Sequence, residues 1–118
     1  MPRSSLPQPD LVRVRHALEA AKEAVSFLRG AAPEDLSRNR EKAYAVVFAL
    51  ATVGEALNSV SKPWRDAHPK IPWREAIGLR HRLIHGYHDI RWDRVWTTVQ
   101  DDIPPLIRAL EDAVGNQP

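Results

Sequence analysis

The segment Gly78-Leu79-Arg80-His81-Arg82-Leu83-Ile84-His85-Gly86-Tyr87 places guanidinium, imidazole and phenol groups within one short stretch of chain. Arg80 offers a planar, permanently charged donor suited to a phosphate oxygen, and His85 is a candidate general base. On an ideal helix these two lie five residues apart, about 140° around the axis, so spacing alone does not give them a common face. The long Arg side chain can swing round, and unwinding at Gly86 can re-aim His85, which leaves convergence on one phosphate open. The plain alternative is that Arg80 and Arg82 are solvated and His85 merely closes a helix C-terminus, where the helix dipole favours an imidazolium.

The surroundings favour anion chemistry. Of the 17 basic residues most are Arg, although the formal charge is only +2. Arg74, Arg80, Arg82, Arg91 and Arg94, with His81, His85 and His88, face only Glu75, Asp89 and Asp93 in the same stretch. His81 and His85 at i and i+4, with His88 beyond them, invite a zinc reading. No Glu accompanies them as in metalloprotease helices and Gly86 interrupts the geometry, so no metal or other cofactor is expected. Cys is absent, which excludes disulfides, thiolate metal sites and a cysteine nucleophile, and fits a reducing cytoplasm. Glu55 stands in a largely apolar stretch. It reads first as a buried structural carboxylate that holds Arg80 or Arg82, and second as a catalytic group.

The elements that must position these residues are helical. A chain of 118 residues makes about one domain. Residues 1–9, rich in Pro and Ser, are expected to be a disordered leader, residues 10–115 a single helical domain and 116–118 a tail. No apolar run approaches the roughly 20 residues of a membrane span, and no signal-peptide pattern opens the chain. Asp10 is expected to cap a first helix whose stripe is Leu11, Val14, Leu18, Ala21, Val25 and Leu28, ending near Gly30. A second segment opens at Pro33-Glu34-Asp35. Its strong part, 38–61, carries Ala43, Val46, Val47, Leu50, Val53, Leu57 and Val60. Between 43 and 51 it is apolar nearly all round, which predicts a second subunit against it.

The stretch 62–72, with three prolines, reads as a connection holding one short helical turn. A third helix runs from Pro72 to about His85 or Gly86. Trp92, Val95, Trp96 and Val99 mark a fourth, which Pro104 and Pro105 break or kink before a fifth carrying Leu106, Ile107, Leu110 and Val114. No alternating stretch indicates a strand. The expected fold is all-α, a four- to five-helix up-and-down bundle, homodimeric.

Arg80, four intervening residues and His85-Gly86-Tyr87, with Ile71-Pro72-Trp73-Arg74, Gly78, the upstream Val53-Gly54-Glu55-Ala56-Leu57-Asn58 and the downstream Asp101-Asp102-Ile103-Pro104-Pro105-Leu106, together resemble the HepT-like toxins of the HEPN superfamily. The likeness covers roughly residues 10–114. It implies a homodimeric, metal-independent endoribonuclease, the toxin of a toxin–antitoxin module, with two Arg/His motifs facing a shared cleft. Arg80 and His85 would then act on a ribose 2′-hydroxyl and its phosphate. Tyr87 matches the family's His-x-Tyr tyrosine, which accepts AMP from a nucleotidyltransferase antitoxin of the MntA type. His81 stands where members often carry Asn, and would orient the phosphate, serve as a second acid/base group, or be only a polar helix residue. Arg82 is a possible supporting residue. A different reading keeps the same fold as a catalytically inactive module that binds nucleotide or RNA or docks a nucleotidyltransferase. A third makes it a purely structural dimeric bundle.

Overall fold

Apolar side chains that recur every three or four residues become helices in which that stripe is buried. A computed structural model describes residues 9–86 and 88–115. The long elements are α1 (Pro9–Phe27), α3 (Arg40–Asn58) and α8 (Ile103–Gly115). Val14, Ala17, Ala21 and Ala24 of α1 pack with Val46, Leu50, Val53 and Leu57 of α3 and with Leu106 and Leu110 of α8 in one core. The alanines of α1 are what let α3 approach it closely. Lys22 meets Glu111 at 3.2 Å across α1 and α8. The described chain is all-α apart from one small ribbon, as its periodicities predict.

Asp10 does not cap its own helix. Its carboxylate accepts from the Ser61 backbone N–H at 2.8 Å and from the Ser61 hydroxyl at 2.6 Å. The start of α1 is thereby tied to the end of α3, so the two helices run antiparallel. α1 begins at Pro9, one residue inside the expected leader. The rest of that leader, residues 1–8, and the tail 116–118 lie outside the described residues. Gly30, at φ +75°, takes the left-handed turn expected of it after α1.

The second segment is two helices, not one. α2 (Asp35–Arg38) stops at Asn39, whose extended backbone and side chain, accepting from the Lys42 N–H, start α3 afresh. α4 (Lys62–Ala67) is the short turn expected in the proline-rich connection. Its Arg65 donates to the carbonyls of Val60 at 3.0 Å, Asn58 at 2.8 Å and Leu57 at 3.4 Å. Asn58 is the last residue of α3, and its carbonyl is one that a helix C-terminus leaves unsatisfied. Arg65 also lies 5.8 Å over the Trp73 ring, whose indole N–H donates to the His68 carbonyl. Trp64 stacks on His68 with ring centroids 3.6 Å apart. The end of α3 is thus clamped to the first residue of the next element.

That element is broken as well. α5 (Trp73–Ile77) and α6 (Leu79–Leu83) meet at Gly78, and the helix ends before His85, because Ile84 turns extended at φ −121°, ψ 108°. Ile84–Gly86 forms β1, paired antiparallel with β2 (Asp89–Ile90). α7 (Trp92–Thr97) passes through a π turn at Thr98–Asp102 into α8. Pro104 and Pro105 sit in the first turn of α8, where missing N–H groups cost least. The widened turn ahead of them takes up the break, with the Ile103 N–H reaching back to the Thr98 carbonyl.

Asp10→Ala removes two charge-assisted hydrogen bonds that join helix ends. Its expected cost is about 1–2 kcal/mol of unfolding free energy, measured by urea denaturation; a variant as stable as the parent would show the link to be idle.

Candidate active site

Helix α3 packs on α5 at a position with no side chain. A Cβ on Gly54 would stand 3.1 Å from the Ile77 carbonyl oxygen and 3.2 Å from that of Ala76. Only glycine allows this approach without moving backbone. Beside the contact, α3 diverges from α6 and β1 and leaves an open cleft of about 610 Å³. Its walls are Glu55 and Asn58 from α3, Arg80 and His81 from α6, and Ile84, His85 and Gly86 from β1, with Ala51, Gly54 and Ile77 behind them.

Arg80 and His85 therefore line one cleft. The device that joins them is the extended backbone of Ile84, one residue before His85 and earlier than the unwinding expected at Gly86. A helical His85 would be carried around the axis; here it is the extra residue at an irregularity between Ile84, paired with Ile90, and Gly86, paired with Asp89, and such a bulge re-aims the side chain it carries. Both side chains are exposed, as are His81 and Glu55. Neither the Arg80 guanidinium nor the His81 and His85 imidazoles hydrogen-bond or ion-pair with another described residue. A guanidinium open to solvent beside an imidazole, in a cleft, can hold an oxyanion while the imidazole exchanges a proton.

Glu55 is not the buried structural carboxylate its apolar neighbours suggest. It is exposed on the outward face of α3, and no ion pair joins it to Arg80 or Arg82. An exposed carboxylate needs no partner to offset desolvation. Arg82 points elsewhere: it lines a separate depression with Glu75, Asp101 and Asp102, and its guanidinium meets the Glu75 carbonyl at 3.4 Å. His88 lies in a third cleft rather than with His81 and His85. Among the described residues no group of three or more His, Asp or Glu side chains is gathered as metal ligands would be. Tyr87 lies outside the described residues. Asn58, the last residue of the Val53–Asn58 motif, is a wall residue to which the sequence assigns no role. Its signal is helical spacing, three residues after Glu55 and so on the same face of α3.

Residues 17–113 match the family model described as ribonuclease HepT-like. The chain is similar to a candidate RNase of Methanocaldococcus jannaschii, 33% identical over 80% of this chain and 86% of that protein. It is 30% identical to a candidate RNase of Caldanaerobacter subterraneus subsp. tengcongensis over 94% of this chain and 96% of the other. It is 36% identical to a probable ribonuclease HepT of Thermococcus cleftensis over 79% of this chain and 82% of that one. No solved structure matches the chain at a significant level.

Gly54→Val drives branched methyl groups against the carbonyls of residues 76 and 77. The expected loss is about 1–3 kcal/mol of stability, read from thermal and chemical unfolding; an unchanged midpoint would show that α5 yields without cost.

Proposed function

Because the chain belongs to the HepT-like ribonuclease family of the HEPN superfamily, we propose that it cuts RNA in the cleft between α3 and the α6–β1 junction. One observation carries the reading: Arg80 and His85 open into the same cleft, their side chains free of other described partners. Neutral His85 takes the proton of a ribose 2′-hydroxyl as that oxygen attacks the adjacent phosphorus. Arg80 holds the non-bridging oxygens, where negative charge gathers in the transition state. The bond to the 5′ oxygen breaks, and that oxygen leaves with a proton from His81 or from water. The products are a 2′,3′-cyclic phosphate and a 5′-hydroxyl end. A guanidinium supplies the charge stabilisation and an imidazole the proton transfer, so the reaction is metal-independent in this reading. DNA, lacking the 2′-hydroxyl, is no substrate.

The family supplies the setting we propose for the reaction. The protein acts in the cytoplasm as the toxin of a toxin–antitoxin module, and a nucleotidyltransferase antitoxin of the MntA type silences it by transferring AMP to Tyr87. Added phosphate and adenosine, one residue beyond Gly86 of the cleft wall, bring negative charge and bulk to the place an RNA phosphate must occupy. The working unit is a homodimer. Phe48 on α3 is 74% exposed in a helix whose other faces build the core, and a second copy over it brings the two Arg/His pairs to a common groove. No helix among the described residues is long and apolar enough to cross a membrane.

His85→Ala lowers the rate of RNA cleavage about 10²- to 10⁴-fold and Arg80→Ala by about 10²- to 10³-fold, while EDTA leaves the parent rate unchanged. Both positions are exposed, so stability stays within about 0.5 kcal/mol. Equal fragments from the parent and from His85→Ala would end the nuclease reading and leave a module that binds without cutting. Tyr87→Phe keeps its cleavage but takes no label from its antitoxin and radioactive ATP; a labelled, silenced Tyr87→Phe protein would place the acceptor elsewhere.

A further inference from the structure

The cleft that holds Arg80 and His85 has a second wall whose chemistry the cleavage reaction does not use. Glu55 and Asn58 stand on it three residues apart, on one face of the last turns of α3. Both side chains are exposed, and neither hydrogen-bonds or ion-pairs with another described residue. Their main chain, by contrast, is held. The Asn58 carbonyl accepts from Arg65 at 2.8 Å and the Glu55 carbonyl from the Ser59 hydroxyl at 3.2 Å. A fixed backbone thus presents one carboxylate and one amide to the cleft.

A carboxylate is out of place in a cleft that must take up a phosphodiester. It repels the phosphate that Arg80 attracts, and no ion pair joins it to that guanidinium in compensation. Phosphate contacts carry no sequence information, whereas contacts to base edges do, and single-stranded RNA exposes those edges. A carboxylate accepts from an exocyclic amine such as N4 of cytosine, and an Asn amide suits the amine and adjoining ring acceptor of adenine. Uracil carries an oxygen where cytosine carries the amine, so it sets one acceptor against another. The cleft, at about 610 Å³, falls within the roughly 300–1,000 Å³ of small-ligand sites, which leaves room for a base beside its phosphate. A second copy seated on Phe48 lies about 10 Å back along α3 from Glu55 and about 15 Å from Asn58. The groove it leaves to Arg80 and His85 is the one this wall borders.

We propose that Glu55 and Asn58 read the base of the nucleotide held in this cleft and select one with an exocyclic amine beside a ring acceptor, cytosine or adenine, against uracil. Glu55 accepts from the amine, and Asn58 donates to the ring nitrogen. The proposal rests on the ribonuclease reading of the cleft and adds to it a preference among bases. Both residues act on the base, not on the reacting phosphate, and so set which strand is held.

The test measures binding rather than turnover. Fluorescein-labelled hexamers of cytidine and of uridine are titrated by anisotropy against full-length protein carrying His85→Ala, so that neither is cut. A homopolymer puts the same base in the cleft in every register. The cytidine strand binds about tenfold tighter, within the range of one base-edge contact pair. Adding Glu55→Gln removes a negative charge and tightens both strands, but brings the ratio of their affinities to about one, because an amide can donate to the uracil oxygen. Asn58→Ala lowers the ratio to about threefold, the loss of one neutral hydrogen bond. Both positions are exposed, so each variant folds as the parent does. Equal affinity for the two hexamers, or binding of neither, overturns the proposal. So does a ratio that either variant leaves unchanged, even where both strands bind more tightly, since that would make Glu55 a bystander charge. Failure of the nuclease reading registers elsewhere, as equal cleavage by the parent and by His85→Ala, and does not move the binding ratio.

Discussion

The approach of α3 to α5 at Gly54 governs the position of everything in the candidate site. Two backbones in contact through a missing side chain set the distance between the wall that carries Glu55 and Asn58 and the wall that carries Arg80. The contact is held from one end by Arg65, which donates to the Asn58 carbonyl at the end of α3 and to that of Val60 just beyond it, and lies over Trp73, where α5 begins. Backbone contacts are stiff. A side chain in that gap could adjust by rotamer, whereas a peptide carbonyl moves only with its whole helix. Gly54 thus joins local conformational freedom to the geometry of a cleft whose reactive groups lie on other elements.

The second decisive feature is the change from helix to strand at Ile84. It separates the backbone that carries the guanidinium from the backbone that carries the imidazole. Arg80 belongs to the short helix α6, and His85 to a ribbon whose Ile84 and Gly86, on either side of it, pair with Ile90 and Asp89. The Arg91 N–H, bonded to the Leu83 carbonyl at 2.9 Å, closes the ribbon onto the helix end. A flexible loop would hold neither group to a bearing; here the helix holds Arg80, and the paired residues on either side of His85 hold its backbone.

Much of this architecture is legible in the residues, and the parts that are not have identifiable causes. The stripes of α3 and α8 read closely because long amphipathic repeats leave little choice of face, whereas that of α1 is rotated: Ala17, Ala20 and Ala24 are buried, and Leu11, Leu18 and Val25 of the expected stripe are only partly so, because small side chains carry a weak hydrophobic signal yet fit the close helix contact. The break at Asn39 stays hidden, since one polar residue within a helical pattern looks like surface until its side chain is seen to cap the helix beginning at Arg40. The ribbon is too short, at three and two residues, to leave any alternation. Glu55 is misread from sequence because apolar neighbours on a helix say nothing about which way the odd residue faces. The grouping of Arg80 with His85 is visible as a motif, but not as geometry: helical spacing argues against it, and a dihedral change at Ile84 provides it. Arg82, equally charged and two residues on, turns the other way for the same helical reason that parts any i, i+2 pair.

The widened turn before α8 carries an implication of its own. A carbonyl in a helix looks four residues ahead for its donor, or five in a π turn, and for Gln100 both places are proline. The Ile103 amide nearby is already committed to Thr98. The Gln100 oxygen must therefore be satisfied by solvent, as exposed main-chain acceptors are. Midway along its final helical stretch the fold thus keeps a permanently hydrated seam, and a longer or greasier core cannot seal it while those two imino acids stay in place.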